Sequence, residues 1–562
     1  MPNFIGINLS KKGILFLIVY LIIFNSISAQ TIPYHKNLKY DFLTLLQGIL
    51  EHNFDVLHYK FNWKINFDSK SIQGKALIRI QSLIDDLSKV TFHLADNLKV
   101  TKVLQGKFSL DFIHHNNLLD IYLIQNLNIS EETEIEIFYH GKPQQGLNFS
   151  YHQNYPIIWS LDEPTGARYW FPCYDHPSDK ATVEMRITVP ANMVVASNGK
   201  LIDIISNNEN TVTYFWKENY PIATYLIFLS ATNYEIFKHL YLSGEGKNMN
   251  VIYFVYPEDI ALAQEDFSVT PSMIDFFSNL FGEYPFLEEK YGMAEIPGNI
   301  AMEHQTCTSY PSKLITGDHR YDWIIAHELA HQWWGDLVTL LDWSDIWLNE
   351  GFATYSDALW HEYIYGFEGL KSRMNDFKNI YFTYHKGSEH PIYNPPPGHL
   401  FCTIEYEKAA WVLHMLRFIV GDSKFWRILR KYAVKYAYSN ASTKDFQHLC
   451  EEIYGESLDW FFNEWIYKSG YPIYQFGWGV LQSNKVRIII NQIQKNFPLF
   501  IMPIELKFIF PSGKLRKTIW VENKNNIFDF SFEQKPLEVI FDPDNWILCK
   551  VQRLEKKGKG RK

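Results

Sequence analysis

The chain has 562 residues, 47% hydrophobic and 20% charged, with a formal net charge of −9. A chain of this length organises into about two to four domains, and its composition is ordinary for a globular protein. Both charge signs are spread along the body of the chain with no concentrated basic face, which excludes nucleic acid as an expected partner.

Lys11 and Lys12 precede an apolar run from Gly13 to Phe24, and Ser26-Ile27-Ser28-Ala29 offers small residues for cleavage before Gln30. The run is shorter than the roughly 20 residues needed to cross a bilayer. Residues 1–29 are therefore expected to be a signal peptide, cleaved to leave a secreted or periplasmic chain with no membrane span. Residues 30–240 read as an N-terminal β domain. Tyr59, Phe61, Trp63, Ile65 and Phe67 fall on one face of a strand, and Ala76, Ile78 and Ile80 repeat the pattern after Gly74. Residues 241–470 are helix-rich, with helical periods over Asp322 to Leu337, Gly351 to Tyr365 and Tyr406 to Val420. Residues 471–552 return to alternation, in Val486, Ile488 and Ile490, then Ile504, Leu506, Phe508 and Phe510. A Pro511-Ser512-Gly513 turn leads into a further strand around Ile519 to Val521. Residues 553–562 are a basic tail, read as a solvated end. Five scattered cysteines with no C-x-x-C pair suit neither a disulfide framework nor a cysteine zinc site.

The chemistry concentrates in His327-Glu328-Leu329-Ala330-His331. Residues four apart share a helix face, so both imidazoles can reach one ion. Glu328 sits about 100° further round, beside the ion, where it can take a proton from water. Zinc takes nitrogen and oxygen donors in a tetrahedron and keeps one position open at catalytic sites, so a third protein ligand is required. Glu350 supplies it, in Trp347-Leu348-Asn349-Glu350-Gly351-Phe352-Ala353 at the start of the next helical stretch.

His327 to Asp336, H-E-L-A-H-Q-W-W-G-D, together with Trp343 to Gly351, W-S-D-I-W-L-N-E-G, resembles the zinc aminopeptidases related to aminopeptidase N. Ala301-Met302-Glu303-His304 is similar to that family's Gly-x-Met-Glu-Asn stretch, and Glu163 to Cys173, E-P-T-G-A-R-Y-W-F-P-C, matches a stretch of its first domain. The resemblance implies a multidomain α+β fold: an N-terminal β domain, a thermolysin-like α/β catalytic domain and a small C-terminal β domain, with no long helical C-terminal domain. It implies one Zn2+ per chain and peptide substrates with a free N-terminus. Glu303 and Glu163 are implied to clasp the α-amine, with Ala301 and Met302 also lining the substrate site. Tyr406, in Tyr406-Glu407-Lys408-Ala409-Ala410, resembles the tyrosine that donates a hydrogen bond to the tetrahedral intermediate. Two positions depart from the family: Ile300 replaces a glycine, and His304 replaces an asparagine beside Glu303. The expected activity is removal of N-terminal residues. The rivals are an exported zinc endopeptidase and an inactive zinc-containing peptide-binding protein.

Overall fold

The computed structural model describes residues 52–384 and 389–554. The expected signal peptide and nearly all of the basic tail lie outside them. The first part of the chain folds into three β-sheets. The largest has eight strands, centred on Phe54–Asn66, which pairs antiparallel with Ser71–Ser82 and parallel with Lys180–Pro190. Its burial pattern shows how the sequence builds it. Tyr59, Phe61, Trp63 and Ile65 are buried as the alternation requires, yet so are Phe54 and Val56, two residues of the opposite parity. A β-bulge between Val56 and His58 reconciles them, because one extra residue turns every following side chain to the other face.

A four-stranded sheet then runs in chain order through Glu235–Leu242, Asn248–Val255, Tyr291–Ile296 and Thr308–Pro311. Its first strand straddles the 240/241 boundary read from the sequence. Nine α-helices complete this part among the described residues: α1 (Ile260–Asp266), α2 (Thr270–Phe281), α3 (Asp322–Ala330), α4 (Trp347–Tyr365), α5 (Phe367–Tyr384), α6 (Ala409–Val420), α7 (Asp422–Lys435), α8 (Thr443–Tyr454) and α9 (Asp459–Trp465). The helix expected over Asp322 to Leu337 stops at Ala330. Beyond it the chain makes wider turns, with Asp336 N–H on the His331 carbonyl, Leu337 on Gln332 and Val338 on Trp333.

After Gly470 the described chain is β, in a four-stranded and a three-stranded sheet. These strands do not close a core of their own. Ile488, Ile490, Met502, Leu506 and Phe508 belong to one continuous apolar cluster with α4, α6 and α9, and Trp465 packs on Phe500 with ring centroids 4.7 Å apart.

Helices α4 and α6 meet beside the metal-binding motif. A Cβ on Gly351 would lie 2.6 Å from the Cβ of Ala409, closer than side chains approach, so only glycine permits this crossing. Gly351→Ala is therefore expected to destabilise the fold by about 1–3 kcal/mol, as overpacking does. An alanine elsewhere inside a helix would instead stabilise it by about 0.5–1 kcal/mol. Urea unfolding decides the sign. Adding Ala409→Gly removes the obstructing methyl and should recover part of the loss; a Gly351→Ala protein as stable as its parent contradicts the argument.

Candidate metal centre and amine pocket

Helix α3 is buried on every side from Ile324 onward, so its two histidines are carried in the interior. The Nε2 atoms of His327 and His331 lie 3.1 Å apart, and Glu350 Oε2 lies 3.3 Å from the first and 3.4 Å from the second. A tetrahedral zinc with donors at ~2.0–2.1 Å sets donor separations of about 3.3–3.4 Å. The three atoms form that triangle, and two imidazoles with one carboxylate are a zinc donor set with one position left open.

The surroundings fix the donors. His331 Nδ1–H donates to the Trp334 carbonyl at 2.9 Å, which leaves Nε2 as the ligand atom. The wide turn after α3 returns that carbonyl to the ring. It passes through Gly335 at φ +135°, where a Cβ would meet Asn349 Nδ2 at 3.2 Å and His331 Nδ1 at 3.4 Å. Burial pulls the His327 imidazole down to about 4, so this ring is neutral and able to bind metal. His331 goes the other way: burial would lower it, but the Glu303 and Glu350 carboxylates outweigh that and push it up to about 10. The pocket thus demands positive charge, from a proton or from a metal ion.

Glu303 and Glu163 converge on the same place. Their carboxylates and that of Glu350 lie within 4.8 Å of one another, all three buried. They arrive by different routes. Glu163 comes from the first domain, just after the strand Tyr155–Leu161. Glu303 follows Met302, whose backbone pairs with Ser309 at the edge of the four-stranded sheet. The turn beyond it is held by Thr306, a β-branched residue in the left-handed region at φ 62°. Its N–H donates to Gln332 Oε1 at 2.9 Å, its carbonyl accepts from Lys290 Nζ at 2.9 Å, and its hydroxyl accepts from Gly199 N–H at 2.7 Å. Gln332 also donates to the Glu303 carbonyl at 3.3 Å. The residue after the second histidine therefore ties the helix to the Glu303 turn. Sequence reading gave Gln332 no role, although it lies within the H-E-L-A-H-Q-W-W-G-D stretch that carries the resemblance.

Tyr406 sits in a π-helical turn, Ile404–Lys408, that opens α6, and its ring lies parallel to that of His327 with centroids 6.1 Å apart. Glu328 is buried beside His327 on α3. Tyr225 of the first domain was also missed: its hydroxyl accepts from Asn349 Nδ2 at 3.1 Å, and burial, with the Glu303 and Glu163 charges, raises its pKa far above the usual phenol range. The remaining expected residues divide. Ala301 is buried in the core of the catalytic part, while Met302 packs into the core of the first domain and engages Ser309 through both main-chain groups. His304 stacks on Phe228 with centroids 4.4 Å apart, and Ile300 is half-buried.

Residues 265–465 match the model of the peptidase family M1 domain, and residues 56–226 that of the peptidase M1 N-terminal domain. The chain belongs to peptidase family M1. It is 30% identical over 342 residues to a leucyl aminopeptidase of Saccharolobus solfataricus, a match covering 58% of this chain and 42% of that protein. The chain thus spans less than half the length of that relative. Among solved structures, the M1 zinc metallopeptidase of Deinococcus radiodurans, a mutant bound to a Tyr-Ser-Ala substrate, aligns with a TM-score of 0.65 at 25% identity, covering 74% of this chain and 94% of that one. Legionella pneumophila aminopeptidase A in complex with aspartic acid shares the fold, with a TM-score of 0.79 at 18% identity over 91% of this chain and 61% of its own.

In this M1 protein the donor triangle should retain one zinc per chain through dialysis against trace metal. His327→Ala should lose it while the fold persists. Metal analysis beside circular dichroism checks both, and zinc kept at full stoichiometry by His327→Ala would place the ion elsewhere.

Proposed function

We propose that the chain is a zinc-dependent aminopeptidase that releases single residues from peptides with a free N-terminus. The observation that carries this reading is that Glu350 belongs both to the metal triangle and to the carboxylate cluster with Glu163 and Glu303. A protonated amine held by Glu163 and Glu303 gains charge-assisted hydrogen bonds, the strong kind. The amine nitrogen and carbonyl carbon of one residue are only about 2.5 Å apart. Amine and metal sites this close can address only the first peptide bond. The tripeptide bound by the Deinococcus relative and the names of the aminopeptidase relatives support the same substrate class.

Zinc held at the triangle supplies Lewis-acid chemistry, polarising a carbonyl and making water more acidic. Glu328, adjacent to the ligand His327 and not itself one, accepts a proton from water and passes it to the leaving amine. The Tyr406 hydroxyl donates to the oxygen on which negative charge develops. Glu163 and Glu303 hold the amine, and so orient the bond. Residues 1–29 we assign to export, which gives a secreted or periplasmic mature chain; N-terminal sequencing of that chain should begin at Gln30, and an intact Met1 would refute it.

Glu328→Gln and Tyr406→Phe should both keep the metal and lose kcat, Tyr406→Phe by on the order of 10²–10³, the effect of removing one oxyanion donor. KM should change much less, because the bond forms mainly in the transition state. A raised KM at unchanged kcat would make Tyr406 a binding residue.

N-acetylation of the substrate removes the charge that Glu163 and Glu303 partner. Leaving buried charge unpaired costs several kcal/mol, and about half of that lowers kcat/KM more than tenfold. Matched free and acetylated peptides, with products read by mass spectrometry, test this. Stepwise loss of residues from the free peptide alone is expected. Internal fragments from both would indicate an endopeptidase, and no cleavage of either a binding protein.

A further inference from the structure

A second group of metal-ligating side chains lies outside the centre described above, at the start of the turn that carries Tyr406. His390, Cys402 and Glu405 each bring one donor atom within 4.8 Å of the others. Cys402 Sγ is 3.0 Å from Glu405 Oε2 and 3.7 Å from His390 Nε2. For a tetrahedral ion with sulfur at ~2.3 Å and nitrogen or oxygen at ~2.0–2.1 Å, such separations would be about 3.5–3.6 Å. The observed pair brackets that value, and Glu405 Oε1 lies 3.7 Å from the ring at Nδ1, so side-chain rotation is needed to close the third edge of the triangle.

The ring orientation suits a ligand. His390 Nδ1–H donates to the Pro391 carbonyl at 2.8 Å, which turns Nε2 toward the sulfur. His331 in the zinc centre is oriented by the same device, ring nitrogen to backbone carbonyl. Glu405 is fully buried, and Cys402 is partly exposed, which gives an ion a way in. Burial raises both the Cys402 thiol and the Glu405 carboxyl, and an arriving cation displaces their protons, as at thiolate sites in general.

We propose that His390, Cys402 and Glu405 form a second site, distinct from the catalytic centre, for a thiophilic divalent cation of the zinc type. Sulfur, imidazole and carboxylate together are a zinc donor set, and hard ions such as Mg2+ and Ca2+ avoid thiolate. Three protein donors leave one position open, as at the catalytic centre, and the need to rotate these donors into place makes this the weaker of the two sites. Its place gives it a consequence. Glu405 precedes Tyr406 within the π-helical turn, and His390 lies in the segment before it, so a bound ion clamps that segment to the turn.

The sulfur provides a readout that the catalytic centre cannot mimic, because His327, His331 and Glu350 include no thiolate. Titration of the metal-depleted full-length chain with Co2+ should show two binding events, the weaker accompanied by a thiolate-to-cobalt charge-transfer band in the near ultraviolet. That band should vanish in Cys402→Ser and fall in His390→Ala, both variants still taking up one cobalt. It should persist in His331→Ala, in which the catalytic centre is broken. Absence of the band in the parent chain, or its survival in Cys402→Ser, overturns the proposal and leaves the trio a hydrogen-bonded packing cluster. Should Cys402→Ser fail to fold, Cys402→Ala is read in its place, with the same two outcomes. Neither outcome depends on peptide turnover, so this site and the aminopeptidase reading stand or fall separately.

Discussion

Four glutamates, Glu163, Glu303, Glu328 and Glu350, are buried around two imidazoles, and that concentration of negative charge is the constraint on which the site depends. Carboxylates out of water need cationic partners or several hydrogen bonds. The Glu303 and Glu350 carboxylates express that demand at His331, which they push up to about 10 against the effect of burial. Two cations of different kinds can meet it: a metal ion at the nitrogen side, and an ammonium group at the Glu163–Glu303 side. An aminopeptidase brings these two together at one substrate residue, so the electrostatic need and the proposed reaction coincide.

The same need explains why the first domain is more than a scaffold. Glu163 and Tyr225 come from it, and Phe228 covers His304. Met302 and Tyr406, from the catalytic part, lie in the first domain's apolar cluster. The pocket is built at the seam, and its charge is complete only when both parts are folded together. The C-terminal strands are also bound to the catalytic part, since their core is continuous with α9.

Regular elements hold this site, but irregular backbone aims it. Wide turns after α3 carry the Trp334 carbonyl to His331, a left-handed Thr306 sets the Glu303 turn, and a π-helical turn presents Tyr406. Each departs from the regular conformation that local propensity favours, and each is held by surrounding contacts, as expected where function rather than stability selects the conformation.

Much of this was legible in the residues. The spacing of His327, Glu328 and His331 on a helical period already specified two ligands on one face and a base beside them, and alternation marked the strands. These are short-range relations, set by the 3.6-residue and two-residue periods of helix and strand. Matching of Glu163, Glu303 and Tyr406 came from family resemblance, since nothing local distinguishes them among 62 acidic residues and 35 tyrosines. What no local reading contains is contact between distant segments. Gln332 tying down the Glu303 turn, Tyr225 meeting Asn349, Met302 turning into the first domain's core, and His390 facing Cys402 and Glu405 all depend on segments that only the folded chain brings together. The sequence by itself determined which chemical groups the protein has and which of them share a helix face; the tertiary structure alone decided which buried charges meet, because that is settled by packing across domains and not by period along the chain.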